Sequence, residues 1–355
     1  MSGRNVSAPI GWPSAPASCE LTALHALADL PEAPLVSAVI PVHDGAGFVS
    51  DAIASVFRQT WPRMECIVVD DGSTDGTPEA VKAVGGDRVR YIGQPRSGVS
   101  RARNRGIAEA RGDLVAFLDA DDVWLPEKTS QQLEAFRTNP GLGLVLTDFL
   151  MVNSVLRRPV CVSVDPTRRG LRKVLLMEAA GTGLSFTGMV RREVAEAVGG
   201  FDPRFSVSAD LEFTLRVAER FPVAAVNRPL ALYRIHDRQM HLDLNALERD
   251  RRQLFDLVLP LNSGHARDRR RATANLYTRL FFYQLKRQDW TAAARALTLA
   301  TAQLQPHSSV GLMTWAAATR LRRRLAVRAG PEELPWTSGP LSEPARNGSC
   351  RSASP

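Results

Sequence analysis

Cysteine is scarce. Cys19, Cys66, Cys161 and Cys350 stand far apart with no CxxC pair, so neither a disulfide framework nor a zinc site is indicated. Lysine is equally sparse, present only at Lys82, Lys128, Lys173 and Lys286, so the net charge of +8 is carried almost entirely by arginine. That arginine is spread along the chain instead of gathered in one stripe, which argues against nucleic acid as a partner. Anionic substrates or an anionic membrane surface account for the charge as well. No uncharged apolar run reaches membrane-spanning length, and no basic region followed by an apolar run opens the sequence. The expected location is therefore reducing and cytoplasmic.

What is present is a globular composition. A chain of 355 residues that is 44% hydrophobic suffices for one large domain or two smaller ones with a real core. The most informative stretch runs from Gly112 to Trp124. Its apolar run, Leu114 to Leu118, reads as a buried strand and ends abruptly in three carboxylates, Asp119, Asp121 and Asp122. Crowded carboxylates repel one another, so such a cluster suits a divalent cation held through hard oxygen ligands. The spacing alone also allows a polar turn with helix-capping aspartates.

Taken in order, residues 1–34 are rich in Pro, Ala and Ser, with a short helical pattern near Leu21 to Leu30, and read as a disordered lead-in. Strands are expected at Leu35 to Val42, Glu65 to Asp70, Val89 to Ile92, Asp113 to Leu118 and Leu142 to Thr147. Between them come helices at Phe48 to Thr60, from Thr77, at Val99 to Ala110 and at Pro126 to Asn139. In the second helix Thr77, Pro78 and Glu79 suit N-cap, first-turn proline and the positive end of the dipole. Alternation at this pitch predicts an α/β fold, a mainly parallel sheet covered by helices on both faces. Ligands bind such sheets beyond the carboxyl ends of the strands. His43 with Asp44, Asp70 with Asp71, and Asp119 with Asp121 all fall there, so three stretches converge on one crevice.

These same residues carry a resemblance. Val36-Ser-Ala-Val-Ile-Pro-Val42, Val68-Val-Asp-Asp-Gly-Ser-Thr-Asp75, Gly98-Val-Ser-Arg-Ala-Arg-Asn-Arg-Gly106 and Phe117-Leu-Asp-Ala-Asp-Asp122 stand in the order and spacing typical of family 2 glycosyltransferases. The match continues through Val198-Gly-Gly-Phe-Asp202, Ala209-Asp210 and Tyr233-Arg-Ile-His236. It resembles the GT-A catalytic domain of that family over residues 35–243.

The resemblance implies a nucleoside diphosphate sugar as donor. Asp71, with Asp70, would accept a hydrogen bond from a uracil or similar imide N–H, since an ionised carboxylate only accepts. Pro41, Val42, His43 and Asp44 after the first strand, Arg103 and Asn104 beside the phosphates, and Asp119 with Ala120 complete the implied donor site. A helix N-terminus with arginines suits phosphate oxygens. Asp121, Asp119 and His236 would hold Mg²⁺ or Mn²⁺, with Asp121 the better candidate for direct contact, and Asp122 would orient its neighbours or cap the next helix. Asp210 would be the general base, at the place where relatives carry the second acid of a pair. Ala209 replaces the first acid, which removes a like charge and should let Asp210 ionise more readily than its counterparts. Glu212 is the substitute in the neighbouring register. His43, Asp44 and Ala209 depart from the commoner family pattern.

Beyond residue 243 the pattern is helical: Leu247 to Leu259, Arg269 to Arg287, and Trp290 to Leu304. The last two resemble one helical hairpin of tetratricopeptide type, with Ala293 and Ala296 as small packing positions, and this appendage of residues 244–330 is read as a packing or homodimerisation element. Val310 to Arg328 alternates apolar residues with Arg320, Arg322, Arg323, Arg324 and Arg328. That pattern suits a helix on an anionic membrane, or one docked on the domain with a solvated arginine face. Residues 331–355 read as a disordered tail.

The expected activity is inverting transfer of a sugar from a nucleoside diphosphate donor, a UDP-sugar favoured, to a hydroxyl of a saccharide or lipid-linked acceptor in polysaccharide or glycoconjugate assembly. The alternatives are a catalytically silent nucleotide-sugar binder or scaffold, and a nucleotidyltransferase. The last should show a basic, Gly-rich phosphate loop after the first strand, and Pro41-Val-His-Asp-Gly-Ala-Gly47 lacks the basic residue.

Overall fold

The computed structural model describes residue 27 and residues 29–303, other than 153–158, 180, 182, 238 and 261–264. Strands β1 (Val36–Val42), β2 (Met64–Asp70), β3 (Val89–Gly93) and β4 (Leu114–Phe117) lie parallel in the spatial order β3-β2-β1-β4. Helices α1 (Val49–Phe57), α2 (Thr77–Gly85) and α3 (Val99–Glu109) make the crossovers between them. Every residue of β1 is buried, as a central strand paired on both edges and covered on both faces must be. Along β2 the side chains alternate: Cys66 and Val68 join the main core, whereas Ile67 and Val69 pack with Ala102 of α3 on the other face. Gly106 permits that approach, since a Cβ there would stand 2.2 Å from Val39 Cγ1.

The remaining elements are β5 (Val123–Trp124), α4 (Lys128–Thr138), β6 (Leu144–Val152), β7 (Val160–Val162), α5 (Arg168–Leu175), α6 (Leu184–Thr187), β8 (Met189–Arg191), α7 (Arg192–Ala197), α8 (Ala209–Arg220) and β9 (Val223–Arg234). The sheet runs β3-β2-β1-β4-β8-β6-β9-β5, with β7 on β6. It is mixed as well as parallel, because β8 inserts antiparallel between β4 and β6. The strand order reverses at β1, which has β2 on one edge and β4 on the other. That is the switch point beyond which a ligand crevice opens in such sheets.

One local expectation is corrected. Thr77 is the first residue of α2 and not its cap, which is Gly76; the Thr77 hydroxyl instead accepts from Gly45 N at 2.9 Å. Cys66 is a free, buried thiol, pushed up to about 12 by burial.

The C-terminal part consists of α9 (Leu244–Val258), α10 (Ala266–Lys286) and α11 (Trp290–Thr301). Asp243 caps α9 by accepting from Asn245 N and Ala246 N, and Asp289 caps α11 by accepting from Ala292 N. Ala293 and Ala296 are buried, as the hairpin pattern predicts. These helices share the core of the sheet domain: Leu247, Leu254, Phe255 and Leu276 belong to the same cluster as β1 and β4. Polar bonds fasten the seam, with Asn275 Nδ2 donating to the Leu176 carbonyl at 2.8 Å and Arg172 pairing with Asp268. The lead-in up to residue 26, the basic segment 310–328 and the tail from 331 lie outside the described residues.

Candidate active site

At the switch point the loop after β1 is laced to the loop after β2. The Val42 carbonyl accepts from Asp71 N at 2.8 Å, and His43 Nδ1 donates to the Asp71 carbonyl at 3.1 Å. Asp44 has a left-handed backbone, φ 49°, which aspartate tolerates better than most residues. Its N–H donates to Ser73 Oγ and its Oδ1 accepts from Thr74 N at 2.7 Å, the bond that holds the carboxyl below the ordinary range. Pro41 and Val42 are buried at the strand end.

Asp70 and Asp71 have separate jobs. Asp70 is buried, accepting from Ser73 N at 2.7 Å and from the Tyr91 hydroxyl at 2.7 Å. Asp71 ties β2 to the start of α3: its Oδ1 accepts from Gln94 Nε2 and Ser97 N, and its Oδ2 from Gly98 N at 2.7 Å. A carboxylate offers about four lone-pair sites. Three are used here, so Asp71 retains room for one more donor.

From α3, the buried Arg103 reaches across to Asp119, Nη2 to Oδ1 at 2.6 Å. Asn104 grips the Phe201 backbone with both ends of its amide: Nδ2 donates to the carbonyl and Oδ1 accepts the N–H, each at 2.7 Å. The two candidate phosphate-side residues thus build the crevice wall, one through an acid and one through the Gly199-Gly200-Phe201 turn.

After β4 the chain passes Asp119, the half-buried Ala120, Asp121 and Asp122. Asp121 Oδ2 stands 3.0 Å from His236 Nε2, at the end of β9, so the strand-end acid and the histidine do come together. Burial first, and Asp119 second, raise the Asp121 carboxyl above its ordinary value, with His236 opposing. Asp122 is fully buried and turned away: Oδ1 accepts from Arg234 N at 3.0 Å, and Oδ2 is buried with no partner among the described residues. Burial drives this carboxyl well up. It fastens the acid turn to β9 and does not cap α4.

Do these residues suit a divalent cation? Among the described residues no group of three or more His, Cys, Asp or Glu side chains is set as a metal cage. Asp119 already engages Arg103. Asp121 and His236 offer one oxygen and one nitrogen donor at a single point in a region overcharged with acid. That fits a cation which completes its shell with substrate phosphates and water, the habit of Mg²⁺ and related ions.

Asp210 lies in the first turn of α8 and its Oδ1 accepts its own neighbour's Leu211 N at 2.7 Å. Burial raises its carboxyl above the ordinary value, Asp119 adds to this, and Arg103, Arg251 and the Leu211 N–H oppose it. Ala209 adds no charge beside this carboxyl, so the upward shift comes from loss of water and from Asp119. Glu212 is buried and doubly bonded to Arg216, which in turn donates to the carbonyls of Val198 and Gly200. It serves the glycine turn.

Sequence reasoning missed two contributors. Phe48 stacks on His236, ring centroids 4.6 Å apart; it is the residue just before α1, outside that helix's apolar face. Asp250, from α9, accepts from Ser206 N at 2.7 Å and Ser208 N at 3.2 Å, holding the loop that enters α8. Nothing local marks Asp250, which sits in a polar run of a helix that reads as an appendage.

Comparison with known proteins bears on this arrangement. The Glycosyl transferase family 2 model matches residues 37–199. An uncharacterized glycosyltransferase of Nostoc sp. is 32% identical over 218 residues, covering 58% of this chain and 66% of the relative. The putative teichuronic acid biosynthesis glycosyltransferase TuaG of Bacillus subtilis is 38% identical over 141 residues, 37% of this chain and 56% of TuaG. The chain thus matches only part of the length of either relative. Among solved structures, the mannosyltransferase PcManGT from Pyrobaculum calidifontis, in complex with GDP-Man and Mn²⁺, aligns with TM-score 0.52 and 20% identity, covering 85% of this chain and 86% of that one. S. aureus TarS 1-349 in complex with UDP-GlcNAc aligns with TM-score 0.54 and 17% identity, covering 82% and 88%. On the strand-end motifs, the matched model and the shared fold, the chain belongs to glycosyl transferase family 2 and has the GT-A fold.

Proposed function

We propose that the protein is an inverting glycosyltransferase that moves a sugar from a nucleoside diphosphate sugar, a UDP-sugar favoured, to an acceptor hydroxyl. The observation that carries this reading is the meeting of three chemistries at one end of the sheet. Asp71 has room for one further donor, Asp121 meets His236 at 3.0 Å, and Asp210 shares Arg103 with Asp119 in its electrostatic surroundings.

Each residue has a role in that reading. The remaining acceptor position of Asp71 suits a single imide N–H of the base. Asp121 and His236, with Asp119 steadied by Arg103, would hold Mg²⁺ or Mn²⁺, whose charge favours departure of the nucleoside diphosphate. Asp210 takes the proton of the acceptor hydroxyl, and that oxygen attacks the anomeric carbon on the face opposite the leaving diphosphate. One displacement inverts the configuration. Burial suits Asp210 to this work, because a carboxylate raised toward the working pH is the stronger base. Similarity to TuaG supports polysaccharide or glycoconjugate assembly as the setting, with a saccharide or lipid-linked acceptor.

The test is a panel of nucleotide sugars offered to the full chain with Mn²⁺ or Mg²⁺, read by release of nucleoside diphosphate. Turnover of one donor, lost in Asp210→Asn, is expected. Tight donor binding without turnover of any donor, with or without candidate acceptors, would instead establish a silent nucleotide-sugar binder.

A further inference from the structure

We propose that Arg251 on α9 forms an oxyanion-binding subsite beside Asp210, so that the acceptor carries a phosphate or carboxylate close to the hydroxyl that receives the sugar. The inference rests on the reading of Asp210 as the base. It adds the chemical class of the acceptor, and a site contributed by the helical part of the chain.

The placement of Arg251 follows from its neighbours. Asp250 Oδ2 binds Ser206 N and Ser208 N, and Arg249 Nη2 donates to Ser206 Oγ at 3.2 Å, so this turn of α9 is pinned to the loop that enters α8 two residues before Asp210. Arg251 comes next in the chain. Its Nε and Nη1 are buried and make no hydrogen bond among the described residues. Buried polar groups are nearly always paired, and a guanidinium left without acceptors is costly, so this one calls for a partner.

No carboxylate of its own helix is available to it. Asp250 is already spent on the loop through Oδ2, and its Oδ1 accepts from Arg249 at 3.0 Å. Arg279 of α10 adds a second positive charge nearby while its own Nη2 donates to the Met177 carbonyl at 2.7 Å. Burial, with Arg279, depresses the Arg251 guanidinium to about 10, against the pull of Asp210 and Asp250. An incoming oxyanion would relieve the repulsion and satisfy the buried donors together. Guanidinium binds phosphate and carboxylate in the same two-pronged manner.

The donor diphosphate is the other conceivable occupant. On the donor side the arginine is Arg103, already bonded to Asp119 at 2.6 Å and entering from α3. Arg251 enters from α9, with no such engagement, next to the residue that must meet the acceptor hydroxyl. That assigns it to the acceptor.

Titration calorimetry on the full chain separates these possibilities. With Mn²⁺ and saturating UDP, or GDP where UDP does not bind, the protein is titrated with glycerol 1-phosphate, with methyl glucuronide, and with glycerol and methyl glucoside as neutral controls. At least one anion should bind and the neutral compounds should not; the preferred anion identifies phosphate or carboxylate as the group recognised. Arg251→Gln should weaken that anion by about tenfold or more, the scale of a charge-assisted pair, and leave nucleotide affinity unchanged. Arg251→Lys, which keeps the charge and is the milder change to the fold, should bind the anion with intermediate affinity. Failure of both anions to bind, or equal binding by wild type and both variants, overturns the proposal. Weakened nucleotide binding in Arg251→Gln would overturn it in favour of a donor contact. Failure of both nucleotides to bind speaks against the donor reading instead, and the anion titrations are then read without nucleotide.

Discussion

At Asp210, burial and the nearby Asp119 raise the carboxyl, and two arginines with one N–H pull it back. The net shift is upward, so the ionised base is lost at a higher pH than an ordinary carboxylate would be, and the acidic limb of kcat/KM for the acceptor should lie above about pH 4. Ala209→Glu restores a like charge beside it and should move that limb further up, which a pH–rate profile checks. Asp210→Asn should keep the fold and donor affinity while lowering kcat by roughly 10²–10⁴-fold. Undiminished transfer by this variant rules out the single-displacement mechanism. Asp121 calls for a different measurement. Because it and His236 are the donors that meet at one point, Asp121→Ala or a chelator should abolish Mn²⁺-dependent nucleotide binding in calorimetry without lowering the melting temperature. The burial and the Asp119 charge that raise this carboxyl work against it in the fold, and their relief offsets loss of its bond to His236.

At the scale of elements, the loop between α7 and α8 is held from three sides: by Asn104 of α3, by Arg216 of α8 and by Asp250 of α9. Asp250→Ala leaves the Ser206 and Ser208 N–H groups without their acceptor, a cost of about 1–3 kcal/mol for a buried donor. The expected outcome is a lower melting temperature and a lower kcat at nearly unchanged donor KM, since the loop sets Asp210 and not the donor site. Gly200→Ala should be worse placed still. At φ 69° a side chain is strained, and its Cβ would stand 2.5 Å from Asn104 Oδ1, so the variant should melt lower by several degrees. The parallel half of the sheet was legible because β1, β2 and β4 are apolar runs ended by acids or proline. Of the other half only the start of β6 was legible, in the apolar run Leu142 to Thr147. β8 has three residues, too few for any period, and β9 bulges around Asn227, Arg228 and Pro229, where its register against β6 shifts, so its side chains follow no simple alternation. Site acids at strand ends could be read from position. Phe48 and Asp250 could not, because a stacking partner and a loop anchor are defined by tertiary approach alone.

Among the described residues the C-terminal helices share the main hydrophobic core with the sheet, and this bears on where the catalytic part ends. The sequence pattern divides at residue 243, where strand and helix alternation gives way to helices. Yet Leu254, Phe255 and Leu276 are buried at 1% or less exposure within the cluster that also holds Val36 and Leu114. Each such side chain contributes about 1.5–3 kcal/mol on burial, and Leu247, Leu280 and Tyr277 add to the same seam. Their sum is comparable with the roughly 5–15 kcal/mol that holds a typical domain together. A chain ending at residue 243 would therefore expose an apolar face and also lose Asp250, the anchor of the loop before Asp210. The expectation is that the full chain melts in a single calorimetric transition over its described part, and that the truncated chain is insoluble or unfolded by circular dichroism. A soluble 1–243 chain with donor turnover equal to that of the full protein would show instead that the helices are an independent module. In that case the positioning of Asp210 from α9 would have no part in catalysis.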